Sequence, residues 1–266
     1  MRLTGSLLAC GAVAGPLFIV LVLIQDYTRP GFDPRRQPLS LLSLGDLGWI
    51  QIANFLVTGL LYVVFAVGMR RVLHPGRGGT WGPLLMGAFG TGLVIAGLFR
   101  TAPGWGYPRG APAGVPTAAD MGHVLHGVGF AVVLVSLIAA CSVFTRRFAA
   151  LGERRWALSC AVTGVALPTI YVLSGVLSER GENSQPLSLL LRLVALVGWG
   201  WASLLAVRLR REAAVASDRA GGAGGATGLP PNARTGTARR DAPCGKRKGP
   251  AREARGPMPE RGDQAC

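Results

Sequence analysis

The chain has 266 residues, 50% of them hydrophobic and only 15% charged, and a formal net charge of +15. Its mean hydropathy is +0.38. A soluble domain carries about 25% charged residues, so the composition excludes an ordinary water-soluble globule. High apolar content beside a large net charge means the charges are segregated, and the informative stretches are those that lack them.

Five such stretches lie between Arg2 and Asp26, Asp46 and Arg70, Arg77 and Arg100, Asp120 and Arg146, and Arg155 and Glu179. Each exceeds the roughly 20 residues a helix needs to cross the hydrocarbon. A sixth run, Pro186 to Val207, is apolar apart from Arg192. Lipid admits only helices or closed barrels, and these runs are too long for barrel strands. The expected fold is an all-α membrane protein. It is a six-transmembrane-helix bundle over residues 1–211, with helices near 4–25, 49–69, 81–99, 121–145, 156–177 and 186–207.

Along the chain, helix one opens with "LLAC" at Leu7 to Cys10. The apolar stretch before Cys10 is too short for a signal h-region and the run continues to Ile24, so the helix is expected to stay uncleaved. The following loop reads "FDPRRQPLSLLSLGDLGW". Asp33 suits a cap, Pro34 a first helical position and Gly45 a stop. Leu39, Leu41, Leu42 and Leu44 would form the apolar underside of a short helix lying on the outer membrane interface. Trp49 then anchors helix two at headgroup level.

In helix two, Gln51, Asn54, Thr58 and Tyr62 recur at three- and four-residue steps and form one polar stripe. Helix three is rich in glycine (Gly82, Gly87, Gly90, Gly92 and Gly97) and ends at Arg100; Ala88 and Gly92 make a small-xxx-small pair suited to close packing. Helix four begins with His123 and His126 on one face, two of only three histidines in the chain. Pro16 and Pro168 are expected to kink helices one and five. In helix six, Arg192 lies about 9 Å along the axis from Pro186. From Glu212 to Cys266 the composition turns to Gly, Ala, Pro and Arg. That segment cannot bury enough apolar surface to offset its conformational entropy, and is expected to be a disordered basic tail.

Orientation follows the arginine bias. Arg70, Arg71 and Arg77 mark one loop, Arg146, Arg147, Arg154 and Arg155 another, and Arg208, Arg210 and Arg211 follow helix six. Both termini are therefore expected to be cytoplasmic, in a plasma-membrane protein whose main partner is the bilayer. "GKRKG" in the tail is too short to support nucleic-acid binding. Oligomeric state is left open. Cys10, Cys141, Cys160, Cys244 and Cys266 fall in cytoplasmic halves of helices or in the tail, so no exported disulfide framework is expected.

The run from Gly5 to Gly59, with "WGPLLMGAFGTGLVIAGLF" and "GHVLHGVGF", resembles the bacterial six-helix membrane family known as the domain of unknown function DUF998. The likeness covers about Leu3 to Arg211. It is carried by Pro38-x-Ser40, by Gly48-Trp49 before helix two, and by His126. Family members usually place an acid after helix three in a Thr-Asp-Pro setting, where this chain has Thr101-Ala102-Pro103. The resemblance implies the six-helix architecture and brings no activity with it.

Polar side chains inside a bilayer are functional suspects by default. Gln51, Asn54, His123, His126, Arg100 and Arg192 all fall in the outer halves of their helices, and Ser40 in the loop above. This distribution predicts an outward-facing polar pocket for a small polar molecule or lipid headgroup. Arg192 would meet an anionic group, Asn54 would orient it, and His126 would face Arg192. An intramembrane enzyme acting on a lipid or isoprenoid is the alternative. Ser40, His126 and Asp26 are the conceivable hydrolytic set, though no nucleophile elbow is present. A structural or partner-binding subunit is a third reading. No metal or cofactor is expected: a histidine pair could share an ion with Asp120, Asp26 or Asp33, but a catalytic zinc needs three protein ligands. A proton-coupled transporter usually carries an intramembrane carboxylate, and none is expected within these helices.

Overall fold

The computed structural model describes residues 2–116, 120–179 and 185–225, with side chains placed for 3–116, 120–176 and 188–218. The fold is all-α. The helices are α1 (Arg2–Thr28), α2 (Gly48–Leu73), α3 (Trp81–Leu98), α4 (Met121–Ala150), α5 (Arg154–Glu179) and α6 (Gln185–Gly225). All six are long and apolar enough to cross a bilayer. Each packs on the next in the chain, and α6 returns to pack on α1, closing a ring. The connections 29–47 and 99–120 lie at one end of the ring, called here the loop end; the N-terminus lies at the other.

Most helices outrun the hydrocarbon-length segments expected of them. Asp120 fixes the start of α4 by accepting a hydrogen bond from the backbone N–H of His123 at 2.7 Å. Gly152, at φ +75°, makes the turn between α4 and α5 in a left-handed conformation that costs glycine nothing. Helix α6 continues to Gly225, past Glu212, where a disordered tail was expected to begin. The stretch "REAAVAS" is rich in good helix formers, and Glu212 is 3.1 Å from Arg208 one turn back. Arg208 also reaches Glu153 at 2.7 Å, tying α6 to the start of α5. The rest of the expected tail, from Ala226, lies outside the described residues.

Two glycine pairs set the spacing of the central helices. A Cβ on Gly59 would lie 2.6 Å from the Gly90 carbonyl, and one on Gly92 would lie 2.8 Å from the Gly129 carbonyl. Backbones this close draw α2, α3 and α4 into one sheet of helices, which is how small residues act where water supplies no driving force. The ring interior near its middle is filled by aromatics: Phe89 meets Tyr62 at 4.7 Å and Trp199 at 5.1 Å between centroids, and Phe18 stacks on Trp199 at 5.0 Å.

The first connection differs from expectation. Its only helical piece is a 3-10 turn, Leu39–Ser43, and Leu41, Leu42 and Leu44 are buried rather than spread on an interface. Asp33 accepts from the Arg35 N–H instead of capping a helix. The leucines find more apolar surface by plugging the end of the ring than they would at a wet interface. Trp49, by contrast, is 64% exposed on the ring exterior, as an interfacial anchor would be.

Candidate functional site

The expected absence of acids from the spans is overturned by Asp26, which belongs to α1 and is buried. It is held by Arg192 of α6 in a two-point fork, Nε to Oδ2 at 3.0 Å and Nη2 to Oδ1 at 2.8 Å. Arg192 Nη1 donates to the Gln37 carbonyl at 3.0 Å and to Ser188 Oγ at 2.6 Å. Ser188 Oγ in turn reaches the carbonyls of Pro34 and Gln37. Arg192 is thus satisfied within the protein and faces neither His126 nor Asn54.

The polar stripe of α2 is also spoken for. Gln51 Oε1 accepts from Gln25 Nε2 at 2.7 Å, and Gln25 Oε1 accepts from Arg29 at 2.6 Å. Asn54 donates to the Phe18 carbonyl at 3.2 Å and accepts from Thr58. The stripe therefore knits α2 to α1. Arg29 Nη1 and Gln51 Nε2 are the donors of this network left without a partner among the described residues. Arg100 is exposed beyond the end of α3, away from the ring interior.

The histidines stand elsewhere. A cavity of about 470 Å³ opens inside the ring at the loop end, and His123, His126 and Ser40 all line it. Its floor is Phe18 and Trp199, and its walls include Phe55, Leu93 and Val133. Leu39 and Leu41 of the 3-10 turn, together with Trp105, Val115 and Pro116, form the roof. No Asp, Glu, Lys or Arg lines it among the described residues. Ala102, standing where the family resemblance places an acid, is part of the wall. The site is therefore mostly apolar with a polar patch, where the sequence suggested a polar pocket.

Each ring has one nitrogen committed to the protein. His126 Nδ1 lies 2.9 Å from the Ala96 carbonyl and 3.0 Å from that of Phe99. Carbonyls only accept, so Nδ1 carries the proton and Nε2 of the neutral ring is a bare acceptor. His123 Nδ1 accepts the Ala102 N–H at 3.1 Å and lies 3.3 Å from Thr101 Oγ1. In that ring Nδ1 is the acceptor and the proton sits on Nε2 as a donor. Neither Nε2 has a protein partner among the described residues, and neither is sealed from open space. Three residues apart on one helix face, the two rings line the same cavity, one with a donor Nε2 and the other with an acceptor.

The roof is built with some effort. Trp105 sits at φ 55°, a left-handed conformation that costs a bulky residue about 1–3 kcal/mol. Its loop is held by Trp105 N–H to the Gly114 carbonyl and Gly106 N–H to the Pro112 carbonyl, both at 2.8 Å. The Trp105 carbonyl accepts Gln37 Nε2 at 3.1 Å, and Phe32 meets Tyr107 edge-on at 5.2 Å, so the two connections are stapled together.

Of the residues singled out from sequence, the structure gathers His123, His126 and Ser40. It removes Arg192, Asn54, Gln51 and Arg100 from the cavity. The Ser40, His126 and Asp26 set does not assemble, because Asp26 is committed to Arg192. Asp120 serves as the α4 cap. Trp105, Phe130 and Tyr171 line the cavity and were missed; apolar residues give no depth signal in an apolar chain.

A family described as "Protein of unknown function (DUF998)" matches residues 12–208. No curated protein and no solved structure matches the chain.

Proposed function

We propose that this chain, a member of the DUF998 family, is a plasma-membrane protein that binds an uncharged amphiphile in the loop-end cavity. The head of the ligand lies between His123 and His126, and its apolar body lies on the aromatic and aliphatic walls. The observation that carries the reading is the complementary pair of free Nε2 atoms, one donor and one acceptor. A single hydroxyl or amide answers both at once. A charged head finds no countercharge among the lining residues and would lose its hydration uncompensated. The volume falls within the roughly 300–1,000 Å³ of small-molecule sites.

The arginine bias supports a cavity that faces outward, with both termini cytoplasmic. A cysteine placed at Gly114 should then react with an impermeant thiol reagent in intact cells, and one at Gly152 should not. The reverse pattern would turn the cavity toward the cytoplasm. For the ligand, native mass spectrometry of detergent-extracted protein should find a retained neutral lipid or lipid alcohol that His123→Ala with His126→Ala abolishes. Retention of an anionic phospholipid that ignores both substitutions would sink the reading.

A further inference from the structure

Access to the cavity is unequal on its different sides. Toward the loop end the roof is tied by Gln37 to Trp105, by Phe32 to Tyr107, and by Ser188 and Arg192 to Gln37. Between α3 and α4 the wall is sealed by the Gly92–Gly129 approach and by His126 on the Ala96 carbonyl. Between α1 and α6 the Asp26–Arg192 fork and Ser203 on the Gly11 carbonyl at 3.2 Å tie the helices together. A second cavity of about 300 Å³ on this side shares Phe18, Leu39 and Ala195 with the first, and its lining includes that ion pair.

The seam between α4 and α5 is different. Tyr171 is the one cavity-lining residue from α5 among those described, and its ring meets Phe130 of α4 at 5.7 Å between centroids. On the α4 side Gly127 lines the cavity, is exposed, and has open space where a side chain would begin. Tyr171, Val172, Leu173, Gly175 and Val176 are exposed, leaving only Ser174 buried in that stretch of α5. A Cβ on Gly175 would also meet nothing. Among the described residues, Phe130 and Tyr171 are the ring pair that meets across this seam beside the cavity.

We infer that the cavity is loaded sideways from the bilayer, through a window between α4 and α5 whose shutter is Phe130 and Tyr171. This rests on the amphiphile reading above and narrows it: the ligand is a membrane-dissolved lipid, such as a long-chain alcohol, that never crosses the aqueous roof. Two aromatic rings in edge or tilted contact contribute about 0.5–1.5 kcal/mol beyond their area burial, which rotamer changes can overcome. The roof would have to break several hydrogen bonds together. Gly127 keeps the window clear, since any side chain there would stand in it.

The test uses full-length protein in liposomes, with native cysteines replaced by alanine and a diazirine-bearing hexadecanol as the probe. Phe130→Cys with Tyr171→Cys is bridged by a short bis-methanethiosulfonate, and Phe32→Cys with Tyr107→Cys is bridged in the same way across the roof. Bridging the window should cut photolabelling of cavity peptides at least tenfold, and reductant should restore it. Bridging the roof should leave labelling within twofold. Gly127→Trp, which needs no cross-link, should lower labelling like the window bridge. Labelling that survives the window bridge overturns lateral loading while leaving the binding site standing. So does labelling lost only on bridging the roof. An absence of cavity labelling in the unbridged protein would remove the binding reading itself, and this inference with it.

Discussion

Two regions of the same ring carry polar side chains at the same end and use them in opposite ways. Where α1 meets α2 and α6, polar groups complete one another: Asp26 with Arg192, Gln25 with Gln51, Asn54 with the Phe18 carbonyl. Where α3 meets α4, His123 and His126 each spend one nitrogen on the protein and leave the other to a cavity. Inside a bilayer an unpaired polar group is costly, so polarity that closes on itself reads as adhesion between helices. Polarity left half open beside a void reads as a site. Residue type and depth do not distinguish the two, and bonding does.

The largest expected effect tests the closed seam. Asp26→Ala should strand a buried guanidinium and cost about 3–5 kcal/mol, measured by unfolding in mixed micelles. Replacing both partners, Asp26→Leu with Arg192→Leu, should recover most of it. A loss under about 1 kcal/mol for Asp26→Ala would show that the seam is not held by this pair.

The open seam should be softer. His126→Ala leaves the carbonyls of Ala96 and Phe99 short of a donor and should cost about 1–3 kcal/mol. His123→Ala should cost less, because that ring is only half-buried and Asp120 still caps α4. Equal losses in the two variants would erase the distinction between anchor and lining residue.

The separation of the seams predicts that His126→Ala and Arg192→Ala add in a double-mutant cycle, with a coupling below about 0.5 kcal/mol. The sequence pattern alone pointed to a shared pocket and strong coupling. A large coupling would restore that pocket and merge the two regions.

The smallest stability effect should accompany a complete functional one. Gly127→Leu meets open space and exchanges a poor helix former for a good one, gaining up to about 1 kcal/mol. Its melting temperature should hold or rise slightly while co-purified ligand disappears. Destabilisation with ligand retained would mean that Gly127 serves packing and not access.

Architecture was legible because its cause is local. A run of some 20 apolar residues must be a helix in lipid, whatever its neighbours do, and all six spans appear where the runs lie. The extension of α6 past Glu212 was not legible as a boundary, because an amphipathic, arginine-rich turn resembles the start of a soluble tail until Glu153 and Arg147 are seen beside it. By charge alone, Asp26 marks the edge of a span. Only the paired guanidinium across the ring shows why a carboxylate can remain inside one.

By itself, the sequence determined six apolar helices, the glycine-rich faces that let them approach, and the placing of polar side chains toward one end. Tertiary structure decided which partner each polar group takes. That choice depends on the rotation of every helix about its axis and on where the two long connections fold back, and hydropathy records neither. Asn54, Gln51 and Arg192 became mortar between helices because α1 presents the Phe18 carbonyl, Gln25 and Asp26 to them in turn. The histidines became the wall of a cavity because the end of α3 and the residues after it bind only one edge of each ring, the Ala96 and Phe99 carbonyls for His126 and the Ala102 N–H for His123.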